Sequence, residues 1–127
     1  TYPGVFKMTK PTGMGIPGNP DYYKGKIIIL VNENTISVGE FCTMIFMKAP
    51  KSKLLGTPTA GADGNVTYIS FPDGTLVSVT GLGVYFPNGK ETQRVGIQPD
   101  IIVKQTLSGY LNKKDEQLDK AIEYLSK

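Results

Sequence analysis

The strongest hydrophobic signal in the chain is the run Lys26 to Val31, KIIILV, which has no polar interruption after its first residue. A continuous apolar run of this length is the pattern of a strand covered on both faces, as in a parallel sheet. After the polar connection NENT the spacing changes. Val38, Phe41, Cys42, Ile45, Phe46 and Ala49 recur on one face of a helix, and Pro50 stops it. Met44 and Met47 lie off that stripe, as core filler or as a second surface for a neighbour. Lys53 to Gly56 then predicts a second short strand, which makes strand, helix and strand a βαβ unit, right-handed by the general rule.

The remainder is richer in strands. Tyr2 to Thr9 suits a short strand, and Pro11 to Asp21 is a turn-rich connection. Val66 to Phe71 and Thr75 to Leu82 flank Pro72-Asp73-Gly74, which predicts a hairpin. A turn at Tyr85 to Gly89 and a strand at Ile101 to Lys104 follow. The terminal helix, Asp115 to Leu125, places Leu118, Ala121, Ile122 and Leu125 on one face. Mixed α/β architecture with an attached hairpin is the expectation.

Composition narrows the function classes. At 127 residues the chain is of single-domain size. The net charge is +3, but the lysines are scattered and no basic stripe with interleaved aromatics points to nucleic acid. No apolar stretch has the length of a membrane span. Cys42 is the single cysteine and falls on the apolar side of the expected helix, as a small hydrophobe. There is no histidine, so the commonest general base and metal ligand are absent from any site built by this chain alone. No metal and no cofactor is called for. The chain starts at Thr1 inside a strand-like segment, which leads us to expect a piece of a longer protein.

Two local motifs bear on chemistry. Gly13 to Gly18 spells GxGxxG, but no strand feeds it and the prolines that follow forbid the helix a dinucleotide site needs. Ser37-Val38-Gly39-Glu40 reads as a capping box, with the serine hydroxyl on an early helix N–H and the glutamate reaching back. A serine between a strand and a helix is also a place for a nucleophile. The residues alone leave both readings open. The loop TPTAGADGN, Thr57 to Asn65, is built of small residues that permit close approach of backbone to a substrate or another segment.

Four segments, in order across Lys24 to Leu125, resemble the C-terminal processing, or tail-specific, serine peptidases. They are YKGKIIILVNENTISVGEF, LLGTPTAGADGN, the long stretch from Phe71 to the Gly96-Ile97-Gln98-Pro99-Asp100 signature, and DEQLDKAIEYL. The resemblance implies a ClpP/crotonase-like α/β fold, with a βαβ core, an attached β-hairpin and a C-terminal helix. Residues 1–127 would be the C-terminal portion of a serine peptidase catalytic domain. Ser37 stands where that family has its nucleophile, and the Val38 backbone N–H where it has an oxyanion donor. Gly61, Ala62, Asp63 and Gly64 stand at the family's substrate-binding loop. The branch with a catalytic lysine has it where this chain has Ala62, so the resemblance is closer to the lysine-lacking, tricorn-like branch. In that branch a histidine comes from upstream sequence and an acidic or amide residue supports it. Glu91 and Gln93 are the candidates for support, and each also reads as an ordinary turn residue.

The implied activity is that of a serine endopeptidase of the C-terminal processing type acting on polypeptides, with this segment inactive by itself. Its partners would be the polypeptide substrate and the missing N-terminal half of the same catalytic domain. The implied setting is extracytoplasmic, in a bacterial periplasm or cell envelope. The alternative is a relative that binds a peptide or another ligand without cleaving it, for which Ala62 and the absence of histidine speak.

Overall fold

The computed structural model describes residues 18–127. Its elements are β1 (Ile27–Val31), α1 (Val38–Phe46), β2 (Ser52–Gly56), β3 (Val66–Ser70), β4 (Leu76–Thr80), β5 (Ile101–Ile102), α2 (Leu107–Leu111) and α3 (Glu116–Leu125). The strand expected at Tyr2 to Thr9 and nearly all of the GxGxxG stretch lie outside the described residues.

The β-branched run Ile27-Ile28-Ile29 builds β1, which pairs in parallel with β2 from Ile27 opposite Ser52 to Val31 opposite Gly56. A second parallel pairing, Leu55 with Ile101 and Gly56 with Ile102, places β5 on the far side of β2. The sheet order is therefore β1-β2-β5. All three strands point the same way, so the connections after β1, after β2 and after β5 gather at one edge, where open α/β sheets bind ligands.

β2 is central, and Leu54 and Leu55 are completely buried. Val31, Leu54 and Ile97 form the core, with Ile29, Met44 and Phe86 packed against it. Each such aliphatic side chain contributes about 1.5–3 kcal/mol by leaving water. Gly56 is required at its position: its φ is 137°, and a Cβ there would lie 1.8 Å from the Val31 carbonyl oxygen. α3 packs on β1 and β2 with Ala121 buried, and Asp115 caps it by accepting from the Leu118 N–H.

Helix α1 is rotated relative to the expectation. Glu40 and Thr43 are its buried residues and Met44 reaches the core, whereas Val38, Phe41, Cys42, Ile45 and Phe46 are exposed. Glu40, Thr43 and Met44 sit at i, i+3 and i+4, which is the opposite stripe of the same helix. The polar groups decide the rotation. Glu40 meets three hydrogen-bond donors in the loop after β2, and Thr43 satisfies its hydroxyl on the Gly39 carbonyl at 2.7 Å. Cys42 is accordingly not the buried small hydrophobe that periodicity indicated.

The hairpin forms as expected, with Val66 opposite Thr80 and Ser70 opposite Leu76. Its turn is fastened by the Thr75 N–H to Asp73 Oδ1, at 2.9 Å, with Gly74 at a φ of 85°. It is a separate two-stranded sheet whose residues are exposed on both faces. β5 is shorter than the expected Ile101 to Lys104, although the Val103 N–H still donates to Gly56 O. The short helix α2, started by Thr106 accepting from the Gly109 N–H, had no counterpart in the sequence reading.

Candidate active site

Ser37 stands at the junction of β1 and α1, but it does not cap the helix. Its hydroxyl makes no capping hydrogen bond. Its backbone is at φ 51°, ψ −122°, and the Gly39 N–H donates to Ile36 O at 2.9 Å. Those values are a type II′ turn with Ser37 in the position that glycine normally fills. A serine held there stores roughly 1–3 kcal/mol of backbone strain, which persists only where neighbouring contacts enforce it.

The neighbouring contacts are identifiable. Before Ser37, the Asn32 N–H donates to Thr35 Oγ1 at 3.1 Å, the Asn34 N–H donates to Asn32 Oδ1 at 2.9 Å, and Thr35 O accepts from the Ala60 N–H at 3.1 Å. After it, the fully buried Glu40 carboxylate accepts from Thr59 Oγ1 at 2.5 Å and from the Gly61 and Ala62 N–H groups at 2.8 Å each. The small-residue loop is thus bonded two residues before and three residues after Ser37. This overturns the capping-box reading. Glu40 does not reach back along its own helix but holds the loop.

The outcome for Ser37 is an exposed side chain. The Val38 N–H next to it makes no hydrogen bond among the described residues, and lies at the start of α1, where partial positive charge collects. A hydroxyl on a strained strand-to-helix turn beside an unengaged N–H is a geometry suited to attack on a carbonyl and to holding the resulting oxyanion.

The other residues singled out from the sequence form a second group. Gly61, Ala62, Asp63, Glu91 and Gln93 line one recess of about 260 Å³, together with Tyr85, Leu82 and Arg94 among others. Ser37 and Val38 are not among its lining residues. Gly64 stands at its edge with φ 119° and donates its N–H to Asp63 Oδ1 at 2.7 Å. Gln93 spends its amide on structure, donating to Asp63 O at 2.7 Å and to Leu82 O at 2.9 Å. Glu91 is exposed and bridges Tyr85 through the main chain.

Behind the recess the loop is pinned to the segment before β5. Thr59 Oγ1 accepts from the Ile97 N–H at 2.8 Å, and Gly61 O accepts from the Arg94 N–H at 2.7 Å. Asp100, of the Pro-Asp signature, accepts from the Leu54 N–H at 2.8 Å and pairs with Lys53 at 3.4 Å, so it ties β5 to β2. Asp63 is 7% exposed, and its Oδ2 has no hydrogen-bond partner among the described residues. Burial pushes its carboxyl above the ordinary value, and the nearby Glu40 charge adds to the rise against the opposing Gly64 hydrogen bond. The sequence reading did not find the roles of Glu40 and Thr59, and the only signal for them was the clustering of small residues in the loop they hold.

The described residues thus form a parallel βαβ core that presents Ser37 at a strained strand-to-helix turn. Comparison with known proteins gives the family. The profile of Peptidase family S41 matches residues 6–103. Tricorn protease of Thermoplasma acidophilum is 33% identical over 104 residues, which are 80% of this chain and 10% of that protein. A carboxy-terminal-processing protease of Bartonella bacilliformis is 30% identical over 81 residues, 64% of this chain and 19% of the other. Among solved structures, the crystal structure of the tricorn protease superposes with a TM-score of 0.71 at 29% identity, covering 93% of this chain and 12% of that one. The chain belongs to peptidase family S41 and has its ClpP/crotonase-like fold. It spans about a tenth to a fifth of the length of these relatives.

Proposed function

We propose that this chain carries the nucleophile segment of a serine endopeptidase of the C-terminal processing type, as the C-terminal portion of its catalytic domain. Ser37 Oγ attacks the scissile carbonyl while a base removes its proton. The Val38 N–H donates to the oxyanion, the leaving amine takes a proton, and water clears the acyl-enzyme. The observation that carries the proposal is the Ser37 turn: φ 51°, no cap bond, and a neighbouring N–H without a hydrogen-bond partner among the described residues.

The chain contains no histidine, and Ala62 stands where the resemblance puts a lysine. Base and second oxyanion donor therefore belong, in this proposal, to the N-terminal half of the catalytic domain, and Gln93 or Glu91 supports that base. The substrate is a polypeptide, and the setting is extracytoplasmic. No described helix is long and apolar enough to cross a membrane. The same two features favour a second reading, a relative that binds polypeptide without cleaving it.

Turnover of an unstructured polypeptide by the full-length protein containing this chain, with and without Ser37→Ala, separates the two. Peptidase activity lost by orders of magnitude in the variant supports the first reading. Equal rates, normalised to folded protein, favour the second.

A further inference from the structure

The hydroxyl of Thr59 has two partners, and they belong to different parts of the fold. Its oxygen accepts from the Ile97 N–H at 2.8 Å, and its proton goes to Glu40 Oε1 on α1 at 2.5 Å. Both directions are fixed, because a backbone N–H can only donate, which leaves the hydroxyl proton for the carboxylate. The Thr59 N–H in turn donates to Ile97 O at 3.2 Å, so the two residues pair in both senses. Thr59 is 7% exposed, and a Cβ on neighbouring Gly96 would lie 2.3 Å from Thr59 O. Among the described residues, Thr59 Oγ1 is the one atom bonded both to α1 and to residues 91–97.

Each end of this link leads to strained backbone. On one side Glu40 follows Ser37 by three residues, and the Ala60 N–H, next to Thr59, donates to Thr35 O before the turn. On the other side Arg94 precedes Ile97 by three residues, stands at φ 63°, and donates its N–H to Gly61 O at 2.7 Å. Ser37 and Arg94 are two of the three non-glycine residues with positive φ among the described residues. Strain of this kind persists where surrounding contacts over-determine it, and it collects at functional sites. Glu91 and Gln93, the candidates to support the base, lie on the same segment as Arg94.

We propose that Thr59 is a positioning residue for the reaction. Its hydroxyl touches no reacting group and instead sets the distance between the Ser37 turn and the segment that supports the base. The proposal rests on the peptidase reading. Its physical basis is that displacing a reacting group by about 1 Å can lower the rate by roughly 10²-fold, even when the substitution lies away from the chemistry.

The test uses the full-length protein and two substitutions. Thr59→Val keeps the shape of the side chain but can neither donate to Glu40 nor accept from Ile97. Thr59→Ser keeps both bonds. Turnover of an unstructured polypeptide is measured as kcat and KM per folded molecule, with stability read separately from urea midpoints. Thr59→Val should lower kcat by about 10²-fold and change KM by about twofold or less, because the hydroxyl binds no substrate. Thr59→Ser should recover kcat to within about threefold. The rate at which a fluorophosphonate labels Ser37 should fall with kcat in Thr59→Val and recover with it in Thr59→Ser.

A Thr59→Val protein that is less stable but keeps kcat per folded molecule overturns the proposal and leaves Thr59 a fastening of the loop. A folded Thr59→Ser protein as slow as Thr59→Val overturns it too. Should Thr59→Val fail to fold, Thr59→Cys carries the test, since a thiol donates and accepts only weakly, and a smaller drop in kcat at unchanged KM is then expected. An unchanged kcat in that variant contradicts the proposal. The peptidase reading fails separately: turnover by the unsubstituted protein no faster than by Ser37→Ala removes both, whereas turnover that needs Ser37 but ignores Thr59 removes only the positioning role.

Discussion

Glu40 on α1 and Gly61 in the loop after β2, 21 residues apart in the chain, meet through a 2.8 Å hydrogen bond from the Gly61 N–H to the buried carboxylate. With Thr59 and Ala62 on the same carboxylate, this contact fixes the rotation of α1 and the course of the loop together. Ser37 lies on the turn between Thr35, which the loop also binds, and Glu40. The strain at Ser37 is therefore maintained from both sides by one loop.

Removing that carboxylate leaves two backbone N–H groups and a hydroxyl without their acceptor. Glu40→Ala should destabilise the protein by about 3 kcal/mol or more, read from chemical denaturation. Glu40→Gln distinguishes the two roles of this side chain. In a capping box glutamine substitutes well for glutamate. Here its NH₂ group opposes one of the N–H donors, so the glutamine variant should also lose stability, by about 1–3 kcal/mol. A neutral Glu40→Gln contradicts the loop-holding role.

The turn at Ser37 makes a prediction of opposite sign. Glycine adopts φ 51° without strain, so Ser37→Gly should raise stability by about 1 kcal/mol, while Ser37→Ala, losing no cap bond, should be nearly neutral. A helix cap would behave otherwise, with alanine costing about 1 kcal/mol. Denaturation midpoints of the three proteins decide between them.

Asp63 should impose a pH dependence on folding. Its native carboxyl is raised above the ordinary 3.8, chiefly by burial. Between that value and the raised one, the native state holds a proton that the unfolded state has released, so stability falls as pH rises through the window. Relative to Asp63→Asn, the unsubstituted protein should lose stability on going up from pH 3.8, the ordinary value, measured as urea midpoints across a pH series. A relative gain with rising pH contradicts this.

Much of the scaffold was legible in the sequence because it rests on periodicity and turn chemistry. The Ile27–Val31 run, the Pro72-Asp73-Gly74 turn and the Asp115 start of α3 are local signals, and each forms where the sequence placed it. The face of α1 was not legible. Its rotation follows the buried Glu40, which faces three donors in the loop, and those donors are known only once the loop is placed. α2 was hidden by Gly109 inside a five-residue helix, too short for periodicity to register. At the candidate site, the order of motifs pointed to Ser37 and its loop. The unpartnered Asp63 oxygen and the recess around it depend on how residues 61–63 and 91–94 come together, which no spacing encodes.

The most direct test of the central claim is covalent. Full-length protein treated with a serine-reactive fluorophosphonate should carry one adduct, located on the peptide containing Ser37 by mass spectrometry and absent from Ser37→Ala. Labelling should be slowed by competing polypeptide. An unlabelled Ser37 in folded protein, or an adduct at another serine that survives the substitution, would contradict its assignment as the nucleophile.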